Sequence, residues 1–350
     1  MIVASATAAE PAPSLTPMAR AELRAIAEHP ASGHRPGSGV AFLSTADRAG
    51  LTEFSLVPRR ANGDIENGHI QRARLIDENV TAVATAVGRL AARRDGLDLL
   101  EGIARAVRGL DGGLLVVVSN GLSTTGGLDM RQVGWLADPV DVASELRSRR
   151  LLPSLRGWRV LLVGLGMVAG AQPAPGQPQH ERLVAYWSEI CAAAGAESYT
   201  IDDLPIPATP PSSRASMPLV PVPATWSVVG PDGRTTTTIT DNVLGFRGES
   251  AVIPAAGRAL LARVAAEILA RSAAPVEVRG FTADPPGWTP EGTAALARRR
   301  SDAVAATLTG AGITEVRSLG GGVAPGMTAV VDGRFVEALA ARMRRVEITY

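Results

Sequence analysis

Apolar residues along this chain come in short runs separated by stretches with helical spacing. Ile2-Val3-Ala4-Ser5, Val40–Leu43, Glu53–Val57, Leu114–Val118, Trp158–Val163 and Glu197–Ile201 read as strands. Runs this apolar suit strands buried on both faces. Between them, Thr16–Glu28, Arg72–Ala92, Leu97–Leu110, Pro139–Arg149 and His180–Ala194 read as helices. In the second of these, Leu75, Val80, Val83, Val87 and Leu90 fall close to helical spacing. Strand–helix alternation predicts an α/β layer with a largely parallel sheet over residues 1–202.

The pattern then breaks. Residues 203–224 hold seven prolines, which exclude helix and central strand and favour extended polyproline. This stretch is predicted to be a linker and the domain boundary. Beyond it, Thr225–Val229 and Thr235–Thr240 flank Gly230-Pro231-Asp232-Gly233-Arg234, two β-prone segments around a turn. Pro254–Arg271 is helical, with Leu260, Leu261, Val264 and Ile268 on one side. Val276–Phe281 is a strand. Thr289-Pro290-Glu291 has the form of an N-cap, a proline at N1 and an acid in the first turn. The helix it opens runs to Thr309 and stops at Gly310-Ala311-Gly312. Val316–Leu319 is a strand, Phe335–Met343 a helix, and Val346–Tyr350 a closing strand.

Charge and composition exclude more than they assign. The chain has 350 residues and a formal charge of +1, a balance that implies neither nucleic acid nor an anionic membrane as partner. Cys191 stands alone, so it forms no internal disulfide and anchors no zinc site. The segment before Glu10 lacks the basic n-region and apolar core of a secretory signal. No stretch reaches the ~18 apolar residues of a membrane span; the longest candidate, Trp158–Ala171, carries Arg159. Export from the cell is therefore expected to depend on something outside this chain.

Three motifs near the C-terminus carry a resemblance. They are Val276-Glu277-Val278-Arg279-Gly280-Phe281-Thr282-Ala283-Asp284, Leu296-Ala297-Arg298-Arg299-Arg300-Ser301 and Arg344-Arg345-Val346-Glu347-Ile348. In order and spacing they resemble the OmpA-like C-terminal domain, which ties proteins to peptidoglycan. The resemblance covers roughly the last third of the chain and implies an OmpA-like α/β sandwich at 225–350. It also implies a site for the diaminopimelate of the stem peptide, with an Asp on its ammonium and the second Arg of the helix motif on its carboxylate. Opposite charges held apart by a fold match such a zwitterion, and the planar fork of Arg suits a carboxylate.

Residue by residue, the match is incomplete. Gly280, Phe281 and Thr282 fit, but Ala283 stands where the family has Asp, and Asp284 follows one residue later. The loop after it is longer than the common form. Asp284 either shifts into the vacated place or is a solvated turn residue. Arg300 is the stronger candidate: at ~100° per residue, Leu296, Arg300, Ala303, Val304 and Leu308 share one face. An Arg in an apolar stripe needs a partner, either the ligand or an internal acid such as Asp284 or Glu347. Arg298, Arg299 and Arg344 are expected in solvent or in partly structural roles. Arg345 matches the second Arg of the terminal motif and implies support for the pocket. Met343 and Thr293 replace Asn residues of the family pattern. The candidate ligand-binding set is Thr282, Asp284, Arg300 and Arg345.

Leu115–Gly126, with Ser119-Asn120-Gly121 and Ser123-Thr124 after an apolar strand, resembles von Willebrand factor A-like domains. These bind a divalent metal through an Asp-x-Ser-x-Ser loop after the first strand. Here Ser5-Ala6-Thr7 follows that strand, its leading Asp is missing, and Asn120 stands where Asp commonly precedes Gly. Glu10 and Asp129 are the acids available, and no metal site is expected. Gly164-Leu165-Gly166-Met167-Val168-Ala169 has the form of a dinucleotide fingerprint, but Pro173, Pro175 and Pro178 follow where a helix should start, so a loop is predicted. His29, His34, His69 and His180 lack metal or triad spacing and read as surface or helix-end residues. Asp202 and Asp203 read as solvated.

These readings converge on an α/β protein: a von Willebrand A-like layered domain at 1–202, a Pro-rich linker at 203–224 and an OmpA-like domain at 225–350. The expected function is non-enzymatic and without cofactor, in the extracytoplasmic cell envelope. The C-terminal domain would bind peptidoglycan and the N-terminal domain a protein partner. The alternatives are a scaffold of the same fold that has lost wall binding, and an enzyme with its site in the N-terminal domain. An acid near Arg300 in an open groove favours wall binding, and a buried Arg300–acid pair favours the scaffold.

Overall fold

The structure, a computed structural model, describes residues 1–28, 39–47, 50–271, 275–331 and 333–350. His29 and His34 lie outside the described residues. The chain divides into two compact units, 1–174 with 180–221, and 222–350 with the short insert 175–179.

The first unit opens with β1 (Ile2–Ala4), α1 (Pro17–Glu28), β2 (Val40–Thr45), β3 (Thr52–Ser55), α2 (His69–Val87) and α3 (Leu99–Val107). It continues with β4 (Gly113–Val118), α4 (Met130–Val133), α5 (Pro139–Ser148), β5 (Trp158–Val163), α6 (Gln177–Ala193) and β6 (Ser198–Asp202). The strands form one six-stranded sheet in the order β3-β2-β1-β4-β5-β6. All neighbours are parallel except β3, which pairs antiparallel with β2. The chain winds outward from β1 in one direction and from β4 in the other, so the topological switch lies between these two central strands. Ile2, Ala4, Val116, Val118, Leu161 and Val163 join Val80, Val83 and Val87 of α2 in one buried cluster. Three helices start where the sequence offers an acid: Asp98 accepts from Glu101 N at 3.0 Å, Asp129 from Arg131 N at 3.0 Å, and Asp138, ahead of Pro139, from Val140 N at 2.8 Å. Helix α2 stops at Val87, short of the predicted Ala92, because the chain turns off at Gly88 and Ala92 N donates to Ala6 O.

The proline-rich stretch has no regular structure, as its prolines dictate, and residues 203–221 group with the first unit. Beyond short local bonds such as Thr209 N to Pro207 O, its backbone finds partners across that unit. Ser216 N donates to Asp95 Oδ1 and Val220 N to Gln172 Oε1.

The second unit comprises β7 (Trp226–Val229), β8 (Thr235–Thr240), α7 (Asp241–Leu244), α8 (Ala255–Ala270), β9 (Val276–Thr282) and α9 (Pro290–Gly310). It ends with β10 (Val316–Val323), β11 (Val330–Val331), β12 (Arg334–Phe335), α10 (Glu337–Met343) and β13 (Arg345–Thr349). Five strands make a sheet in the order β10-β9-β13-β8-β7. β9 and β10 are parallel, and β13 lies antiparallel between β9 and β8. Val278, Ile239, Val346 and Ile348 pack with Leu261, Val264 and Ile268 of α8 and Val304 and Leu308 of α9. Gly280 permits the close seat of α9, since a Cβ there would lie 2.5 Å from Ala297 O. A smaller cluster of Phe281, Ala283, Ala324, Ala329, Ala340 and Met343 gathers α10. The sequence reading omitted α7 and the β11–β12 pair, and β10 runs past Leu319 through three glycines. Among the described residues, no helix is long and apolar enough to cross a membrane.

Candidate functional site

Helix α9 delivers Arg300. Thr289 caps it by accepting from Gly292 N, Pro290 sits in its first turn, and Leu296, Ala297, Arg300, Ser301, Val304 and Leu308 share its buried side. The guanidinium is almost fully enclosed, with 3% of its side chain exposed. Its Nη1 donates to Asp241 Oδ2 at 2.9 Å, its Nη2 to Gly248 O at 2.6 Å and its Nε to Ser250 O at 3.1 Å. Its Cζ lies 4.9 Å from the centre of the Phe246 ring. Asp241 opens α7 directly after β8, and its side chain is 15% exposed. Burial pushes the Asp241 carboxyl above its ordinary range, against the pull of Arg300 and Arg344. Burial also draws the Arg300 guanidinium down, with Asp241 opposing.

The other candidates have partners elsewhere. Thr282 ends β9, buried, with Oγ1 within 3.4 Å of Thr293 O and 3.3 Å of Gly322 O. Asp284 accepts from Thr328 Oγ1 and from Ala329 N, each at 2.7 Å, and so ties the loop after β10. Arg345 donates from Nε to Glu347 Oε1 at 2.8 Å and stacks 4.6 Å from the Phe281 ring centre. Among the described residues its buried Nη1 has no partner. Arg300 and Asp284 thus hold different elements, and the internal acid on Arg300 is Asp241, neither of the two acids proposed from sequence. Arg299 is exposed, Arg298 pairs with Asp302 at 3.0 Å, and Arg344 with Glu337 at 2.6 Å. Asp241, Gly248 and Ser250 were missed because nothing local marks them; the signal available was a buried Arg in want of an acid.

In the first unit the loops after β1 and β4 meet at the switch point around Glu10, which is 4% exposed. Glu10 Oε2 accepts from Ser5 Oγ at 2.7 Å and Asn120 N at 2.8 Å, and Oε1 from Thr7 N at 2.6 Å. Burial raises its carboxyl above the ordinary range, while these hydrogen bonds pull the other way. Asn120 bridges the loops by accepting from Leu122 N and donating to Ala9 O. A divalent cation does not fit here: the donors of Ser5, Thr7 and Asn120 already point at the carboxylate oxygens that a cation would need. Asp129 is bound by Arg131 instead, at 2.6 Å, and that partner holds its carboxyl low. Among the described residues, no three of His, Cys, Asp and Glu gather where they could hold a metal ion.

His180 lies near the start of α6, a helix end, but is buried and not at the surface, with Nε2 2.9 Å from Asp203 Oδ1. Asp202, expected in solvent, ends β6 buried and accepts from Thr16 Oγ1 just before α1, whereas Asp203 is exposed as expected. The segment after Gly164 is a loop, and α6 begins only at Gln177. Cys191 is buried, and burial pushes its thiol up to about 12.

No protein-family profile matches the chain, and no curated protein matches it by sequence. Solved structures do. The OmpA-like domain of FopA1 from Francisella tularensis is 20% identical, with 36% of this chain and 78% of that one covered and a TM-score of 0.28. The periplasmic domain of Helicobacter pylori MotB is 19% identical, covering 36% and 87%, at a TM-score of 0.28. The cell wall anchor of the T6SS from Pseudomonas aeruginosa is 27% identical, covering 36% and 86%, at a TM-score of 0.25.

Proposed function

We propose that the chain is a non-enzymatic protein of the bacterial cell envelope whose C-terminal unit serves as an OmpA-like assembly scaffold and whose N-terminal unit makes protein contacts. The envelope setting comes from the motif resemblance. The scaffold role comes from the commitment of Arg300. A diaminopimelate site needs a guanidinium open to the ligand carboxylate and an acid open to its ammonium. Arg300 spends Nε, Nη1 and Nη2 on Ser250, Asp241 and Gly248, inside the protein. Both oxygens of Asp284 accept from the loop after β10. The Arg300 bonds clamp α7, the following loop and α9 together, while Asp284 ties the loop after β10.

A second reading, peptidoglycan binding with Arg300 on the carboxylate and Asp284 on the ammonium, has one observation in its favour. Two of the three Arg300 acceptors are backbone carbonyls of the loop 247–250, where Gly248 is exposed. A ligand carboxylate could take their place. Co-sedimentation of the folded full-length protein with purified peptidoglycan separates the two. The scaffold reading expects no sedimentation that free diaminopimelate releases. Sedimentation released by diaminopimelate, and retained in Arg299→Ala, would establish the second reading.

A further inference from the structure

Ligands of open α/β sheets bind outside the carboxyl ends of the strands, at the topological switch. In the first unit that edge is polar, with Ser5, Thr7, Glu10, Ser119, Asn120, Ser123 and Thr124 all buried there. The loop after β5 covers part of this edge, with Gly166 N on Asn120 O and Ala169 N on Ala9 O, and the chain's own proline-rich stretch runs across the rest of the rim, reaching Thr124 through Met217.

Residues 203–221 leave the end of β6 and pass over the ends of its neighbours. Ile206 joins the sheet's buried cluster, and its Cδ1 lies 3.4 Å from a Cβ position on Gly164, the residue after β5. Ser213 Oγ donates at 2.8 Å to Ala92 O, whose own N–H donates to Ala6 O just after β1. Ser216 N donates to Asp95 Oδ1 at 2.8 Å and Ser216 O accepts from Gly96 N at 3.0 Å. Met217 Sδ lies 3.8 Å from Thr124 Oγ1, in the loop after β4. Gln172 then acts as a short stand-in for a strand: its Oε1 accepts from Val220 N and its Nε2 donates to Val220 O, both at 2.9 Å. Trp135 Nε1 donates to Pro221 O at 2.6 Å.

Between these ties the stretch is exposed or half-buried. Its buried residues are Ile206, Ser213 and Val220, spaced by seven. So few anchors hold a segment much less firmly than the sheet holds itself. Prolines keep the segment extended when it is free, so lifting it releases little chain entropy.

We propose that residues 203–221 are an occluding strap, closed over the binding edge of the N-terminal sheet and able to lift as one piece while the sheet stays folded. The part of the strand-end edge beneath it would then be available to a partner only in the lifted state. This rests on the strap's own contacts and not on the fate of Arg300.

Native-state hydrogen exchange on the full chain tests it. The amides of Gly96, Ser216 and Val220 should exchange through one shared opening, about 100-fold or more faster than Val116 and Val117 of β4. Gln172→Ala removes both bonds to Val220 and should speed all three about tenfold, leaving β4 unchanged. Trypsin cleavage after the exposed Arg214 should rise by a similar factor. The proposal is overturned if the three amides exchange only as slowly as β4. It is equally overturned if Gln172→Ala accelerates β4 along with them, since the stretch would then be an inseparable part of the core.

Discussion

The two units each bury charge, and they solve the problem differently. In the second, Arg300 and Asp241 neutralise one another, and two backbone carbonyls complete the guanidinium's bonding. In the first, Glu10 is buried with neutral donors alone: one hydroxyl and two backbone N–H groups. An ion pair brings a strong local attraction but makes each partner depend on the other. A carboxylate in a cradle of neutral donors depends on backbone geometry, and its charge remains uncompensated. The first arrangement fastens two helices and a loop. The second closes the seam between β1 and β4 loops at the place where a sheet of this topology offers a ligand site.

The comparison breaks most visibly when one partner of the pair is removed. Asp241→Ala leaves Arg300 uncompensated and should destabilise the second unit by about 3–5 kcal/mol. The double change Asp241→Leu with Arg300→Met should recover most of that loss. Chemical denaturation of the two variants decides the matter; equal losses would mean that the pair is not what holds the site. Glu10→Ala comes next. It strands the donors of Ser5, Thr7 and Asn120, with an expected loss of about 2–3 kcal/mol, whereas Glu10→Gln keeps an acceptor and should lose about 1 kcal/mol.

Acidity sharpens the contrast further. The Glu10 carboxyl is raised above its unfolded value by burial. A raised group contributes stability that is complete below its unfolded pKa and is lost as pH climbs through the folded one. Wild type should therefore lose ground relative to Glu10→Gln as pH rises above about 4.5, the ordinary value for this side chain. Unfolding curves for both proteins at a series of pH values read the difference directly, and a difference that grows toward acid pH in favour of the Gln variant would reverse the assignment. The smallest effect belongs to the surface. The Arg298–Asp302 pair is half exposed on both sides, so Arg298→Ala should change stability by less than about 0.5 kcal/mol.

Much of this architecture was legible in the chain. The continuous apolar runs at Leu114–Val118 and Trp158–Val163 suited strands covered on both faces, and they are adjacent interior strands of the first sheet. The Thr289-Pro290-Glu291 start and the stripe through Arg300 placed α9 and its buried side correctly. Other features were hidden for specific reasons. Helix α7 is a single turn whose pattern is too short to show periodicity. The glycines of β10 carry no side-chain signal, and their strand is set by pairing with β9. Glu10 could be named as an available acid, but nothing nearby in sequence says that Asn120 will close over it.

By itself the sequence determined where apolar surface had to be buried, where helices could start, and that the stretch 203–224 could form neither helix nor central strand. It also determined that Arg300 would need a partner, because a guanidinium cannot remain charged in an apolar stripe alone. Only the tertiary structure decided who that partner is, since Asp241 lies 59 residues away in the chain. Only the tertiary structure could turn a proline-rich stretch into a strap, because prolines fix a local shape and leave its partners to whatever surface the fold brings beneath it. Local chemistry constrains each residue's own conformation and its demand for a partner. Which distant group meets that demand depends on topology, and topology is settled by the packing of the whole unit.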